Sequence, residues 1–416
     1  MELSQTRRGF LGSLGALYAT RLLPPDLEAR TDFPLFARPS LRRGIAPGPD
    51  DFAFAPGLIY LQTGSLGPTP RPVMERAIAA WRELQLDPVR YGYGEHEHAM
   101  DGVRAQAASL IGSTTDEVVL TRSTTEGMNW VAQGLSFGAG DRILTTDQEH
   151  PGGTSCWRYV ARRFGVALDV VPITRDEHDA GAIIDRVAKA ITPSTRVFSF
   201  SHVLTSTGLH MPVPELCALA RSRGIISVVD GAQSLGGRPV DVKTLGCHAF
   251  AAPGHKWLLA PPGTGILYLS QELGTTIDPI ALQAGHNAYS ESSGVTGIPA
   301  VLGMGAAIEY ITAIGTSEIN RHNLALRDRL YSALRNVPRL RVVSAPPGPL
   351  TSALLTFWLP DDYESGAFRA RIREKHNIQL KVVPKNWFNG IRVSTHLFNS
   401  EQEVDALVAA LRIELA

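Results

Sequence analysis

The segment Val228-Val229-Asp230-Gly231-Ala232-Gln233, followed downstream by Gly254-His255-Lys256-Trp257, decides how this chain is read. A β-branched run that closes on an acid and a glycine is a strand leaving its sheet. In an open α/β sheet, ligands sit beyond the carboxyl ends of the strands. Asp230 is therefore expected at the mouth, with Gln233 one short turn on. Pro261-Pro262-Gly263-Thr264-Gly265 reads as a glycine-rich return into the sheet. Singly, Asp230 reads as well as a solvated loop acid and Lys256 as a surface lysine. The pair together with the return favours one shared site.

Outward from this segment the pattern repeats. Strands are expected at 118–120, 142–144, 168–171, 196–201 and 225–229. Helices are expected between them near 125–135, 151–164, 183–190 and 213–222. Such alternation predicts an α/β fold with a mostly parallel sheet and helices on both faces. After about Leu273 the pattern changes to two long helices near 300–314 and 318–336. Strands near 340–343, 354–358 and 391–393 and a helix from Glu401 follow, an α+β arrangement. The expected division is a large domain over 65–290 and a smaller C-terminal domain over 291–416, after a lead-in at 31–64.

The 416 residues balance 40 Lys and Arg against 40 Asp and Glu. A neutral chain has no general field for nucleic acid, so any anion must be caught locally. No apolar run of about 18 residues is present, so no membrane span is expected in the mature protein. The three cysteines, Cys156, Cys217 and Cys247, lack C-x-x-C spacing and read as small buried hydrophobes. Thr6-Arg7-Arg8-Gly9-Phe10-Leu11 precedes a weakly apolar stretch to Leu23. This resembles a twin-arginine export signal within residues 1–30, implying a periplasmic or extracytoplasmic protein; a basic disordered terminus on a cytoplasmic protein is the alternative.

Further candidates lie at strand ends. Ser123-Thr124-Thr125-Glu126-Gly127 sits between a strand and a helix, where free N–H groups favour an anion, or where an ordinary N-cap would do. His150 follows the second expected strand. Arg392 lies inside the apolar strand Ile391-Arg392-Val393, where a guanidinium has few cheap alternatives and reads as functional, with a structural ion pair as the alternative. Tyr91-Gly92-Tyr93-Gly94-Glu95-His96-Glu97-His98 contains a His-x-His pair without a third ligand at fixed spacing. It reads as a mobile aromatic loop near a substrate entrance, and no metal is expected.

The D-G-A-Q and G-H-K segments, with Glu149-His150 and the run Arg392-Val393-Ser394 before Phe398-Asn399-Ser400, resemble class V aminotransferase-type enzymes dependent on pyridoxal 5'-phosphate (PLP). That group includes cysteine desulfurases and isopenicillin N epimerase, and the Lys-Trp pair with Ala-Pro-Pro-Gly-Thr-Gly leans toward the epimerase-like branch. The likeness runs from about Leu61 to the C-terminus. It implies the PLP-dependent fold type I, with a seven-stranded sheet and an active homodimer. It implies Lys256 as the Schiff-base lysine, Asp230 at the pyridine nitrogen and His150 stacked on the ring. Gln233 and Thr205 would reach the ring hydroxyl. Thr124, Thr125 and His255 would hold the phosphate, with Thr296 donated by the second subunit. Arg392 and Ser65 would meet the substrate. Pro253 departs from the pattern, standing where many relatives carry a phosphate-binding serine, and Thr205 replaces the common asparagine. No cysteine follows Cys247, which disfavours the persulfide-forming desulfurases.

The resemblance implies chemistry at the α-carbon of an amino acid and leaves transamination, epimerisation and C–S cleavage open. A catalytically silent PLP-binding protein is the rival from another class. A dinucleotide oxidoreductase is disfavoured because no G-x-G-x-x-G follows the first strand.

Overall fold

Seven strands form the main sheet, and their order explains where its mouth lies. In the computed structural model they are β1 (Val118–Thr121), β2 (Arg142–Thr146), β3 (Ala167–Val171), β4 (Thr195–Ser201), β5 (Ile226–Asp230), β6 (Ala249–Pro253) and β7 (Gly265–Leu269). The order across the sheet is β1-β7-β6-β5-β4-β2-β3. Only β7 runs antiparallel to its neighbours; the other adjacent pairs are parallel. The structure describes residues 49–274, 276–282 and 289–416. The expected export signal lies outside the described residues.

Central strands buried on both faces must be apolar throughout. Phe198, Phe200, Val228, Val229 and Phe250 meet that demand and are fully buried. Helices α3 (Thr124–Gly134) and α4 (Pro151–Phe164) cover one face, closing a core of Met128, Val131, Trp157, Val228 and Leu267. The register sets Ser201 beside Asp230, and Asp230 beside Ala251. Three strand ends therefore open at one rim.

A second sheet, antiparallel and four-stranded, has the order β8-β9-β11-β10. Its strands are β8 (Arg341–Val342), β9 (Leu354–Trp358), β10 (Lys381–Val382) and β11 (Gly390–Ser394). It packs with helices α8 (Thr316–Leu334), α9 (Ser365–His376) and α10 (Glu401–Glu414) around Leu330, Phe357, Phe368, Ile391 and Leu407. Helix α7 (Ile298–Ile314) is buried along most of its length against α1 (Arg71–Leu86) and α2 (His96–Leu110). Among the described residues no single helix is long and apolar enough to cross a membrane.

Three expectations need correction. Strand β6 was not foreseen, because Ala249-Phe250-Ala251-Ala252-Pro253 has one residue of high strand propensity; burial between β5 and β7 overrides that. The stretch from Tyr91 is no loop: Tyr91–Glu95 is a π-helical turn that leads into α2. Its two histidines serve separate partners, His96 buried 3.6 Å from Glu83 and His98 bonded to the Gly94 carbonyl at 3.0 Å. The lead-in, whose Pro, Arg and Asp content to about residue 56 predicts irregular structure, is held in place at its end. Phe52 meets the Phe398 ring at a tilt and Phe54 meets it edge-on, and Ile59–Tyr60 pairs in parallel with Ile378–Gln379.

Candidate active site

A cavity of about 320 Å³ opens at the carboxyl rim of the main sheet. Asp230 is its floor, ending β5 and 5% exposed. The Ala232 N–H donates to its Oδ1 at 2.8 Å. Burial raises its pKa, opposed by that hydrogen bond and by the charge of Lys256. Helix α4 approaches so closely that a Cβ on Gly153 would stand 2.6 Å from Asp230 Oδ2.

Lys256 follows β6 in a tight turn. The Gly67 N–H donates to the His255 carbonyl at 2.7 Å, and a Cβ on Gly67 would lie 2.1 Å from the Lys256 carbonyl oxygen. Three residues on, Leu259 is held in the left-handed region at φ 61°. Burial lowers the Lys256 amine to about 8; Asp230 opposes the fall, while Arg392 and Lys381 add to it.

His150 caps α4. Its Nδ1 accepts the Gly152 N–H at 3.0 Å, which leaves the ring in one tautomer. Burial, with the positive charges of Lys256, Arg392 and Lys381, lowers it to about 4. A neutral imidazole therefore faces the cavity at physiological pH.

At the other end stands the first turn of α3. Ser123 Oγ accepts the Glu126 N–H at 3.2 Å, while first-turn amides have no partner inside a helix. Thr124 Oγ1 and His255 Nδ1 are buried without a hydrogen-bond partner. Unpaired buried donors around a helix N-terminus suit a phosphate. Pro253 lines the same wall and offers no donor.

Arg392, on β11, is buried, and burial lowers it to about 10. Its Nη1 donates to the Thr205 carbonyl at 3.0 Å and to the Thr205 hydroxyl. Its Nη2 donates to Ser65 Oγ at 3.1 Å. Among the described residues no acid pairs with it. The Gln233 amide donates to the Gly64 carbonyl at 2.8 Å and to Thr205 Oγ1 at 3.2 Å, and accepts the Trp257 indole N–H at 2.9 Å. That network fixes the wall from which Arg392 projects.

The cavity brings together Ser65, Thr124, Thr125, His150, Thr205, Asp230, Gln233, His255, Lys256 and Arg392. Thr296 stands outside it, in a separate cleft beside Arg122 and Glu126. Sequence reasoning missed Lys381 and gave Glu149, quoted only as part of a motif, no role. Lys381 lines the wall beside Arg392. Glu149, buried under the rim, accepts Ser201 Oγ at 2.5 Å and Thr146 Oγ1 at 2.7 Å. Burial raises its carboxyl to about 7 against those bonds, and the charge of Asp230 adds to the rise. Its place beside His150 was the available signal; Lys381 offered none. All three thiols are buried, and burial raises each: Cys156 and Cys217 to about 12, and Cys247 well above the usual range.

The family model described as aminotransferase class-V matches residues 59–407. An isopenicillin N epimerase of Streptomyces clavuligerus is 29% identical over 86% of this chain and 94% of its own. A cysteine desulfurase of Serratia proteamaculans is 30% identical over 93% and 98%. A solved C-DES mutant with glycine covalently linked to the PLP cofactor superposes with a TM-score of 0.79 at 26% identity, over 88% of this chain and 99% of that one.

Proposed function

The chain belongs to the class V aminotransferase family of PLP-dependent enzymes, and from that premise we propose that its cavity binds PLP and acts at the α-carbon of an amino acid. The observation that carries this reading is Lys256, its amine lowered to about 8, sharing one cavity with buried Asp230 and acid-free Arg392. The residues present fit the cofactor: Lys256 for its aldehyde, Asp230 for its ring nitrogen and His150 for its ring face. Gln233 and Thr205 suit its hydroxyl, and Thr124, Thr125 and His255 its phosphate. Bound there, PLP supplies an electron sink for a carbanion at the substrate α-carbon.

The chain's own groups do the rest. The Arg392 guanidinium forks the two oxygens of the α-carboxylate, which fixes the bonds around the α-carbon. Lys256 takes a proton from that carbon and returns one to it, as an amine poised near neutrality can. Anionic Asp230 holds a proton on the ring nitrogen. Proton transfer of this kind serves transamination with Lys256 alone, whereas epimerisation also needs a proton delivered to the opposite face of the α-carbon. Sulfur transfer through a protein thiol is opposed by the burial of Cys156, Cys217 and Cys247.

Two wider parts of the reading concern assembly and location. Thr296 lies outside its own cavity, and α1 exposes Met74, Ile78 and Trp81, which supports a homodimer with shared sites. The paired Arg7-Arg8 ahead of Phe10-Leu11 supports export of the folded protein through the twin-arginine machinery to the periplasm.

Absorbance tests the central claim. Purified protein should carry the band of a covalently held cofactor, and Lys256→Ala should lose the covalent link. Amino acids should then change the band, with the products assayed as keto acid, inverted stereoisomer or released sulfide. A band that no amino acid alters would favour a silent binding protein.

A further inference from the structure

Resting on that reading, we infer that the preferred substrate carries a second carboxylate, beyond the α-carbon, received by Lys381. Three basic side chains, Lys256, Lys381 and Arg392, and one acid, Asp230, line the cavity. In the proposed reading Lys256 serves the cofactor aldehyde, Asp230 its ring nitrogen and Arg392 the α-carboxylate. Lys381 is left over: among the described residues it makes no ion pair and no hydrogen bond.

Its position fixes what it can meet. Lys381 on β10 stands directly opposite Arg392 on β11 in an antiparallel pair, so both side chains leave the same face of the sheet. It lines the same cavity as His150 and Lys256, and its charge lowers both. The proposed phosphate end is built from Thr124 and Thr125 at the start of α3 and His255 in the turn after β6. Lys381 is half-buried, and burial together with Arg392 and Arg369 loosens its proton. Like charges crowded at a half-desolvated wall are unfavourable, and a second anion relieves them. Val382 and Trp387, beside Lys381, offer an apolar wall for the methylene chain joining two carboxylates.

The test uses the holoenzyme and spectral titration. Aspartate, glutamate and 2-aminoadipate are each compared with a neutral partner of similar length: asparagine, glutamine and norleucine. The readout is the ratio of half-saturating concentrations, neutral over acidic. The expected ratio is about tenfold or more for at least one chain length, falling to near one in Lys381→Ala and recovering in Lys381→Arg. A wild-type ratio near one overturns the inference, and so does a ratio that survives Lys381→Ala. An equal loss of acidic and neutral ligands in Lys381→Ala also overturns it, assigning the lysine to the shared α-carboxylate or the cofactor. Absence of a response to every amino acid instead sinks the proposed function itself.

Discussion

At Lys256 three charges compete for one proton. Asp230 holds it on, while burial, Arg392 and Lys381 push it off, and the amine settles near 8 instead of 10.5. Cofactor uptake by stripped protein needs the neutral amine. Its rate should therefore rise with pH and level off above about 8. Asp230→Asn should move that midpoint down and Arg392→Gln should move it up; a wild-type midpoint near 10.5 would contradict the charge balance. Arg392→Lys keeps the charge but loses the planar fork. Amino-acid binding should weaken about 100-fold, the worth of roughly 2–3 kcal/mol of charge-assisted hydrogen bonding, with the cofactor band retained. Glu149 titrates with the opposite consequence for stability. Its carboxyl sits at about 7 when folded against 4.5 ordinarily, so between those values the folded protein binds more protons than the unfolded chain. Stability therefore falls as pH rises through that window and stays lowered above it, by about 3 kcal/mol at 1.36 kcal/mol per pH unit. Glu149→Gln should unfold at a higher temperature than wild type at pH 8 and lose that advantage at pH 4.5. Below that window Glu149 is neutral, and it gains its charge only as pH rises through about 7.

Elements were legible where their ends carry their own chemistry. Helix α4 begins at Pro151 and α6 (Val213–Ser222) has Pro214 in its first turn, and both helices span the residues expected of them. The strands β1, β2, β4 and β5 carry β-branched residues and each leads into a residue of the site region, whereas β3, at the sheet edge, leads into none. Strand β6 was hidden by its alanines, and α1 by a mixed pattern in which only Val73 and Ala80 are fully buried. Among site residues, Asp230, Lys256, His150 and Arg392 were readable because each closes or occupies a strand or turn with few cheap alternatives. The roles of Glu149 and Lys381 were not, because Glu149 depends on Ser201, 52 residues away, and Lys381 on a strand register with Arg392 that the sequence does not show. The contact between α4 and β5 is testable at Gly153. A Cβ there would press to 2.6 Å on Asp230 Oδ2, with the helix's own capped first turn behind it. Gly153→Ala should cost about 1–3 kcal/mol of stability through overpacking, and should weaken cofactor retention on gel filtration more than Gly165→Ala, which meets nothing within 4 Å but must hold φ 68°. Equal cofactor retention in the two variants would remove Asp230 from the explanation.

For the whole molecule, the unexplained surface is on α1. Met74, Ile78 and Trp81 recur at helical spacing on one stripe and are 38%, 43% and 59% exposed, while the opposite side of the helix packs on α7. Leu86, Val89 and Tyr93 continue the apolar surface at 57%, 69% and 53%. An exposed apolar stripe of this kind on a neutral chain suits an association surface. A two-fold contact presents the same patch from both copies, so one α1 stripe can bury the other. The same pairing would supply Thr296, which lies outside its own cavity, to the neighbouring one. Sedimentation at micromolar concentration should therefore give twice the 44.9 kDa of one chain. Trp81→Glu sets a charge in the middle of each stripe and should shift the mass toward 44.9 kDa. Because the stripe is exposed in a single chain, the variant should keep its far-ultraviolet circular dichroism. If Thr296 completes the phosphate site across the pair, the monomeric variant should also release its cofactor more readily on dilution. A wild-type protein that sediments as one chain, or a Trp81→Glu monomer that retains cofactor as tightly as wild type, would leave each site complete within its own subunit.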